Sequence, residues 1–248
     1  MLHKLGDKTT HPSELRQIKA ISFDGDMTLW DFDKVMRHSL GFALEELRKR
    51  VPGKASAELT IDLMIGIRDS IAAELSGKLV NLELIRLRAF ERTVEYVGSD
   101  TPDLAAHLNA IYLKHRFEDV ELYPDVLPAL DALGRGYALG LLSNGNGYPD
   151  RCGLQNRFAF VVFSQEVGVE KPAAAIFEEA CRRAGCTPQE LIHVGDSLDS
   201  DVQGAQRIGA LSVWLNRARV SKMPETTPDF EIHSLSELDS ILGGRGRG

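Results

Sequence analysis

Two acidic loops carry most of the chemical signal in this sequence. Phe23-Asp24-Gly25-Asp26-Met27-Thr28 sets two carboxylates two residues apart directly after an apolar run, and Gly195-Asp196-Ser197-Leu198-Asp199-Ser200-Asp201 follows another such run. Carboxylates gathered at a strand end are costly unless a cation neutralises them or a reaction uses them. For either loop alone two readings stand: a solvated turn, for which Asp and Gly are common residues, or a site built to handle a charged ligand. Position favours the second, because ligands of doubly wound sheets bind beyond the carboxyl ends of the strands. Oxygen ligands converging from two loops suit Mg2+, which takes few carboxylates and keeps several waters. Ser143-Asn144-Gly145 and Lys171-Pro172 are each ordinary by themselves, a turn and a solvated charge. Their order and spacing with the acidic loops give them weight.

The elements that must position these residues are legible as short apolar runs. Ala20 to Phe23, Ala138 to Leu142, Phe158 to Phe163, Leu191 to Val194 and Leu211 to Leu215 are nearly continuous in apolar residues, as strands buried on both faces of a parallel sheet are. Helical patterns over Asp125 to Leu133, Ala173 to Ala184 and Leu198 to Ile208 each stop at or near a glycine. Strand alternating with helix predicts an α/β fold, a doubly wound parallel sheet. From Trp30 to about Val120 four helices are expected instead: Asp33 to Arg50, Ala57 to Leu75, Leu79 to Val97 and Asp103 to Phe117. About ninety residues of helix far exceed an ordinary connection between strand and helix. They read as an inserted all-helical cap domain over 31–120, leaving 1–30 and 121–248 as the core.

In that order, Asp24-x-Asp26-x-Thr28, Ser143-Asn144, Lys171-Pro172 and Gly195-Asp196-Ser197 with Asp201 resemble the four motifs of the haloacid dehalogenase (HAD) superfamily. Tyr123-Pro124-Asp125-Val126 before the second motif and Val213-Trp214-Leu215-Asn216-Arg217 after the last core strand resemble that family too. A helical insertion straight after the first motif looks like the C1 cap of subfamily I on a Rossmann-like HAD core. The resemblance covers about Lys19 to Asp33 and Leu122 to Asn216, and the four-motif set is specific.

The resemblance implies a Mg2+-dependent phosphatase acting on a small phosphomonoester. Asp24 would be the nucleophile and form an aspartyl-phosphate. Asp26 would protonate the leaving alkoxide and then activate water. Mg2+ would be held by the Asp24 carboxylate, the Asp26 backbone carbonyl and the Asp196 carboxylate. Ser143 and the Asn144 amide would bind phosphate oxygens, and Lys171 would give positive charge to nucleophile and phosphate. Asp201 would orient Lys171 or a metal-bound water. Thr28, grouped with the substrate-binding residues, would tie the first loop through its hydroxyl. Two positions depart from the family pattern: Gly25 stands where an aliphatic residue is frequent, and Met27 where Gly or Asp is usual. Family dehalogenases lack a second aspartate in the first motif and need no metal, so Asp26 favours phosphate. A phosphonatase would use a cap lysine, but Lys49, Lys54 and Lys78 read as surface charge. A phosphomutase or a non-catalytic binding module would also fit on this fold.

Other residues read more plainly. His193 is expected to be a satisfied core histidine. His38, His107 and His115 fall on cap helices without ligand spacing, and Asp199 is expected to stay solvated. Trp30 stands equally for a substrate contact or for packing at the hinge, and Arg68, Arg86 and Arg88 for helix surface before substrate contact. Of 248 residues, 43% are hydrophobic and 26% charged, with a net charge of -7, which disfavours broad attraction to nucleic acid or anionic membrane. Cys152, Cys181 and Cys186 form no paired motif and read as small apolar side chains. With no signal-like segment at the N-terminus, a cytoplasmic setting is expected. The GGRGRG tail is read as a frayed end. A homodimer is compatible with the sequence, but no residue requires one.

Overall fold

A computed structural model describes residues 15, 17–75, 82–221 and 226–242. Lys78 and the GGRGRG tail, both singled out above, lie outside the described residues. In chain order the elements are β1 (Ala20–Phe23); α1 (Phe32–Arg50), α2 (Lys54–Glu58), α3 (Ile61–Leu75), α4 (Leu82–Tyr96) and α5 (Leu104–Glu118); α6 (Val126–Leu133), β2 (Ala138–Ser143), β3 (Phe160–Phe163), α7 (Ser164–Val167), α8 (Ala174–Ala184), β4 (Leu191–Gly195), α9 (Gln203–Ile208), β5 (Leu211–Leu215), β6 (Phe230–Ile232) and α10 (Leu238–Ile241). The chain forms two compact units, one from the described residues up to Asp31 and from Leu122 onward, the other from Phe32–Glu121.

The first unit is built on a six-stranded parallel sheet in the order β3-β2-β1-β4-β5-β6. Parallel pairing demands cover on both faces, and all four residues of β1 are buried. The strand order reverses at β1, which pairs with β2 on one side and β4 on the other. Loops leaving adjacent strands at such a switch point diverge and leave a crevice between them. The first, second and fourth motifs follow β1, β2 and β4.

The second unit is all helical. Along α1, Leu40, Ala43, Leu44 and Leu47 are buried at helical spacing and pack into one core with Phe90 of α4 and Leu108 of α5. Full burial of one such leucine contributes roughly 1.5–3 kcal/mol. The expected single helix over Ala57 to Leu75 is instead two. Leu59 is extended and fully buried, and the Leu63 amide donates to Thr60 Oγ1 at 3.2 Å, so the chain turns inward and a new helix starts on its own cap.

Two further differences lie in the first unit. β6 is a strand where none was expected, and Phe158 and Ala159 precede β3 rather than belong to it. The helix expected over Leu198 to Ile208 begins as a π-turn, Leu198–Val202, before α9. Such widened turns recur at functional sites because they re-aim a side chain.

Candidate active site

Asp24 leaves the end of β1 with its backbone fixed, its amide donating to the Val194 carbonyl of β4 at 2.9 Å. Its Oδ1 accepts from Lys171 Nζ at 2.6 Å. The same ammonium donates to Asp201 Oδ1 at 2.6 Å and to the Leu142 carbonyl at 3.0 Å. All three donor sites of the lysine are thereby used. Lys171 is 5% exposed and Asp201 1%, so this is a desolvated charge network.

The π-turn accounts for the reach of Asp201. It turns the carboxylate back so that Oδ2 accepts from the Ser197 amide at 3.0 Å, and the space it fills lies over Gly195, where any Cβ would overlap it. His193 Nε2 lies 3.0 Å from Asp201 Oδ1, and its Nδ1 lies 2.8 Å from Ser22 Oγ. An ionised carboxylate only accepts, so Nε2 carries the proton and Ser22 donates to Nδ1. Burial lowers the affinity of His193 for a second proton. It is the satisfied core histidine expected, and it also supports Asp201.

Asn144 holds Lys171 through its side chain. Lys171 N donates to Asn144 Oδ1 at 2.7 Å, and Asn144 Nδ2 donates to the Lys171 carbonyl at 3.1 Å. Ser143 Oγ, at the end of β2, accepts from the Gly145 amide at 3.0 Å. The structure thus brings Asp24, Asp201 and Lys171 into direct contact and places Asn144 against the lysine backbone. Sequence reading expected only the amide of Asn144 to matter.

The first-motif loop is packed around Trp30. Its indole Nε1 donates to Asp26 Oδ1 at 2.7 Å, and the ring is 1% exposed. A Cβ on Gly25 would lie 2.9 Å from this ring and one on Gly147 2.5 Å, so two glycines form the slot that holds it. Gly145 is similarly constrained: its Cβ would meet Asp26 Oδ2 at 2.6 Å. Trp30 is buried and holds the Asp26 carboxylate, a role that neither reading of it from the sequence included. Gly25, which departs from the family pattern, is the residue this tryptophan requires.

Met27 has φ 63° and is exposed. Left-handed backbone costs an ordinary side chain on the order of 1 kcal/mol, which is the reason glycine suits this position. Thr28 corrects an expectation. Its hydroxyl is buried and meets no hydrogen-bond partner, so it does not tie the loop. The backbone does that: Thr28 N donates to the Gly25 carbonyl at 3.2 Å, and the Thr28 carbonyl accepts from Arg217 Nη2 at 2.9 Å. Arg217 grips Asp125 with both terminal nitrogens, at 2.9 and 3.0 Å, and lies 4.0 Å over the Tyr123 ring. The two flanking segments noted in the sequence therefore meet and brace the first motif.

Asp196 is half-buried, and its carbonyl accepts from Trp214 Nε1 at 2.8 Å. Carboxylate oxygens of Asp24, Asp196 and Asp201 lie within 4.8 Å of one another. Burial pushes Asp196 up to about 6, and the Asp201 charge adds to this. Burial likewise pushes Asp24 upward against the pull of Lys171, with Asp201 and Asp196 reinforcing the rise. Asp201 is held low, because Lys171 and His193 outweigh its own burial. Three carboxylates thus face one ammonium. With both Asp201 oxygens engaged, the carboxylates of Asp24 and Asp196 remain as oxygen ligands that fit an oxygen-seeking dication such as Mg2+. Asp199 is exposed.

In the helical unit, Lys49, Lys54 and Arg88 are exposed and Arg68 and Arg86 half-buried. Cys152 and Cys181 are buried, Cys186 is half-buried, and all three are free thiols. Among the described residues no helix is long and apolar enough to cross a membrane.

The family model of the haloacid dehalogenase-like hydrolases matches residues 18–209. The chain is 34% identical over 236 residues to a glyceraldehyde 3-phosphate phosphatase of Methanopyrus kandleri, covering 91% of this chain and 97% of that protein. It is 28% identical over 242 residues to the mouse (Mus musculus) N-acylneuraminate-9-phosphatase, covering 92% and 95%. Among solved structures, a 2-haloacid dehalogenase from Pseudomonas syringae pv. Tomato DC3000 superposes with a TM-score of 0.78 at 31% identity, over 91% of this chain and 98% of that one. A match over most of the chain, joined to four ordered motifs on one parallel sheet, places this protein in the family of haloacid dehalogenase-like hydrolases.

Proposed function

We propose that this protein is a Mg2+-dependent phosphatase that hydrolyses a small phosphomonoester through an aspartyl-phosphate at Asp24. The observation that carries the reading is a second carboxylate, Asp26, held by the Trp30 indole in the loop that also presents Asp24. A reaction that expels an alkoxide needs a proton donor, whereas displacement of a halide does not. Relatives named as phosphatases that align over nine-tenths of the chain support the same reaction class.

Asp24 attacks phosphorus; the bond from its carboxylate oxygen forms as the ester P–O bond breaks, and Asp26 gives its proton to the departing oxygen. Asp26 then takes a proton from water as that water attacks the aspartyl-phosphate, returning inorganic phosphate and free Asp24. Lys171 holds the Asp24 carboxylate in position and offsets charge on the transferring group. The Ser143 hydroxyl and the Asn144 amide bind phosphate oxygens. Asp24, Asp196 and the Asp26 carbonyl would hold Mg2+, which neutralises the repulsion between an anionic nucleophile and a phosphate dianion. Substrate selection is assigned to the helical unit acting as a cap, and the three free thiols support a cytoplasmic setting.

A 2-haloacid dehalogenase is the second reading, favoured by the similarity to the Pseudomonas syringae structure. A panel of phosphomonoesters and 2-haloacids, assayed with Mg2+ and with EDTA, separates the two. Mg2+-dependent phosphate release that falls by more than about a thousandfold in Asp24→Asn is expected. Halide release without metal, and no phosphate release, would replace this reading with the second.

A further inference from the structure

The helical unit carries a second convergence of ligating side chains that the phosphatase chemistry does not use. His38 lies on α1, His115 on α5, and Asp119 caps the C-terminal end of α5. Along the chain these histidines show no ligand spacing, and the fold corrects that. His38 Nε2 lies 3.0 Å and His115 Nδ1 2.8 Å from the same oxygen, Oδ2 of Asp119. All three donor atoms fall within 4.8 Å of one another.

Phe42, one turn along α1 from His38, fixes both imidazoles. Its ring stacks on His115 with centroids 3.6 Å apart and planes 5° from parallel, and it meets His38 edge-on at 5.0 Å. Metal-binding imidazoles need their ring orientation set from outside the ligand shell, and one aromatic does so here for two rings. Bonds of about 2.0–2.1 Å in a tetrahedral zinc site put neighbouring donor atoms about 3.3 Å apart. The two imidazole–carboxylate spacings are a few tenths of an ångström shorter, and the two imidazole nitrogens lie within 4.8 Å of each other. His38 is 51% exposed and Asp119 35%, so small side-chain rotations open the cluster to that size.

We propose that His38, His115 and Asp119 form a binding site for a zinc-type transition-metal dication, with a fourth position open to water, that links α1 to α5. Two imidazoles and one carboxylate favour zinc-type ions over Mg2+, whose preference is for oxygen. The site is thus chemically distinct from the carboxylate cluster around Asp24. Metal entry displaces the protons that bridge the imidazoles to Asp119.

The test is a zinc titration of the full-length, tag-free protein against a chromophoric chelator, in millimolar Mg2+, with circular dichroism as the check on folding. One equivalent of zinc should bind in both wild type and Asp24→Asn. His38→Gln, His115→Gln and Asp119→Asn should each weaken it at least tenfold. A zinc equivalent that vanishes in Asp24→Asn, or that survives all three cap substitutions, overturns the proposal. Crystals soaked in zinc supply a check that needs no variant. An anomalous peak about 2.0–2.2 Å from the three donor atoms supports the site, and its absence at a soak concentration that saturates the titration rules the site out.

Discussion

The buried charge network of the sheet unit and the surface ion pairs of the helical unit use charge in opposite ways. In the sheet unit, Asp24, Lys171, Asp201 and His193 are buried and share one hydrogen-bonded network. In the helical unit, charges pair on exposed surface, often one turn apart on a helix, as in Arg37–Asp33, Arg50–Glu46 and Arg88–Glu91. Exposed pairs contribute about 0–1 kcal/mol because water and salt screen them. Removing one member of a buried set leaves its partners charged without compensation and costs about 3–5 kcal/mol. The same residue types are therefore solubilising in the exposed pairs and chemically poised in the buried network. Burial and fixed geometry, not composition, make the difference.

Lys171→Met should break the contrast most severely. It leaves Asp24 and Asp201 facing each other in a dry site, and a loss of about 3–5 kcal/mol is expected from the shift of the urea midpoint. A loss below about 1 kcal/mol would show the network to be as solvated as the exposed pairs of the helical unit.

Asp196 sharpens the comparison through pH. Its folded pKa of about 6 exceeds the ordinary carboxyl value, so between about pH 4 and pH 6 the folded state holds a proton that the unfolded state has released. Stability of the EDTA-treated protein should therefore fall as pH rises through that window, Asp196 contributing about 1–2 kcal/mol, while the raised Asp24 carries the decline on to higher pH. Millimolar Mg2+ should remove or reverse the slope, since the ion prefers the ionised carboxylate. Thermal melts across pH, with and without Mg2+, read both. An identical slope in both conditions would separate Asp196 from the metal.

Trp30→Phe probes a neutral donor at the edge of the charged network. Loss of the indole N–H to Asp26 should lower kcat about tenfold, near 1.4 kcal/mol, with KM little changed. Phenylalanine leaves part of the slot between Gly25 and Gly147 empty, so a modest loss of stability should accompany the change; an unchanged kcat would mean that Asp26 is positioned by other contacts. The smallest effect is expected from Arg37→Ala, which removes exposed pairs to Asp33 and Asp62. Less than about 1 kcal/mol should be lost in urea unfolding, and less still at high salt.

Continuous apolar runs ending in acidic, polar or glycine residues made five of the six strands legible, because a buried parallel strand is a local pattern. β6 escaped, since three residues in a polar stretch carry too little signal. The break between α2 and α3 escaped because the cap of Thr60 and the burial of Leu59 compete with helix propensity only once a core exists. Within the site, the acidic loops, Ser143-Asn144 and Lys171 were legible as motifs at strand ends. Their mutual contacts were not: Lys171 reaches Asp24 across 147 positions of chain.

By itself, then, the sequence determined which residues could do chemistry and which elements carry them, because side-chain type and hydrophobic period are local properties. Only the tertiary structure decided which of those residues meet. It set Trp30 on Asp26 between two glycines, left the Thr28 hydroxyl unpartnered, turned Asn144 onto the Lys171 backbone and gathered His38, His115 and Asp119 from separate helices. Each of these depends on atoms brought together by close packing, where a methyl group more or less decides whether a contact forms. No local pattern in the chain encodes that.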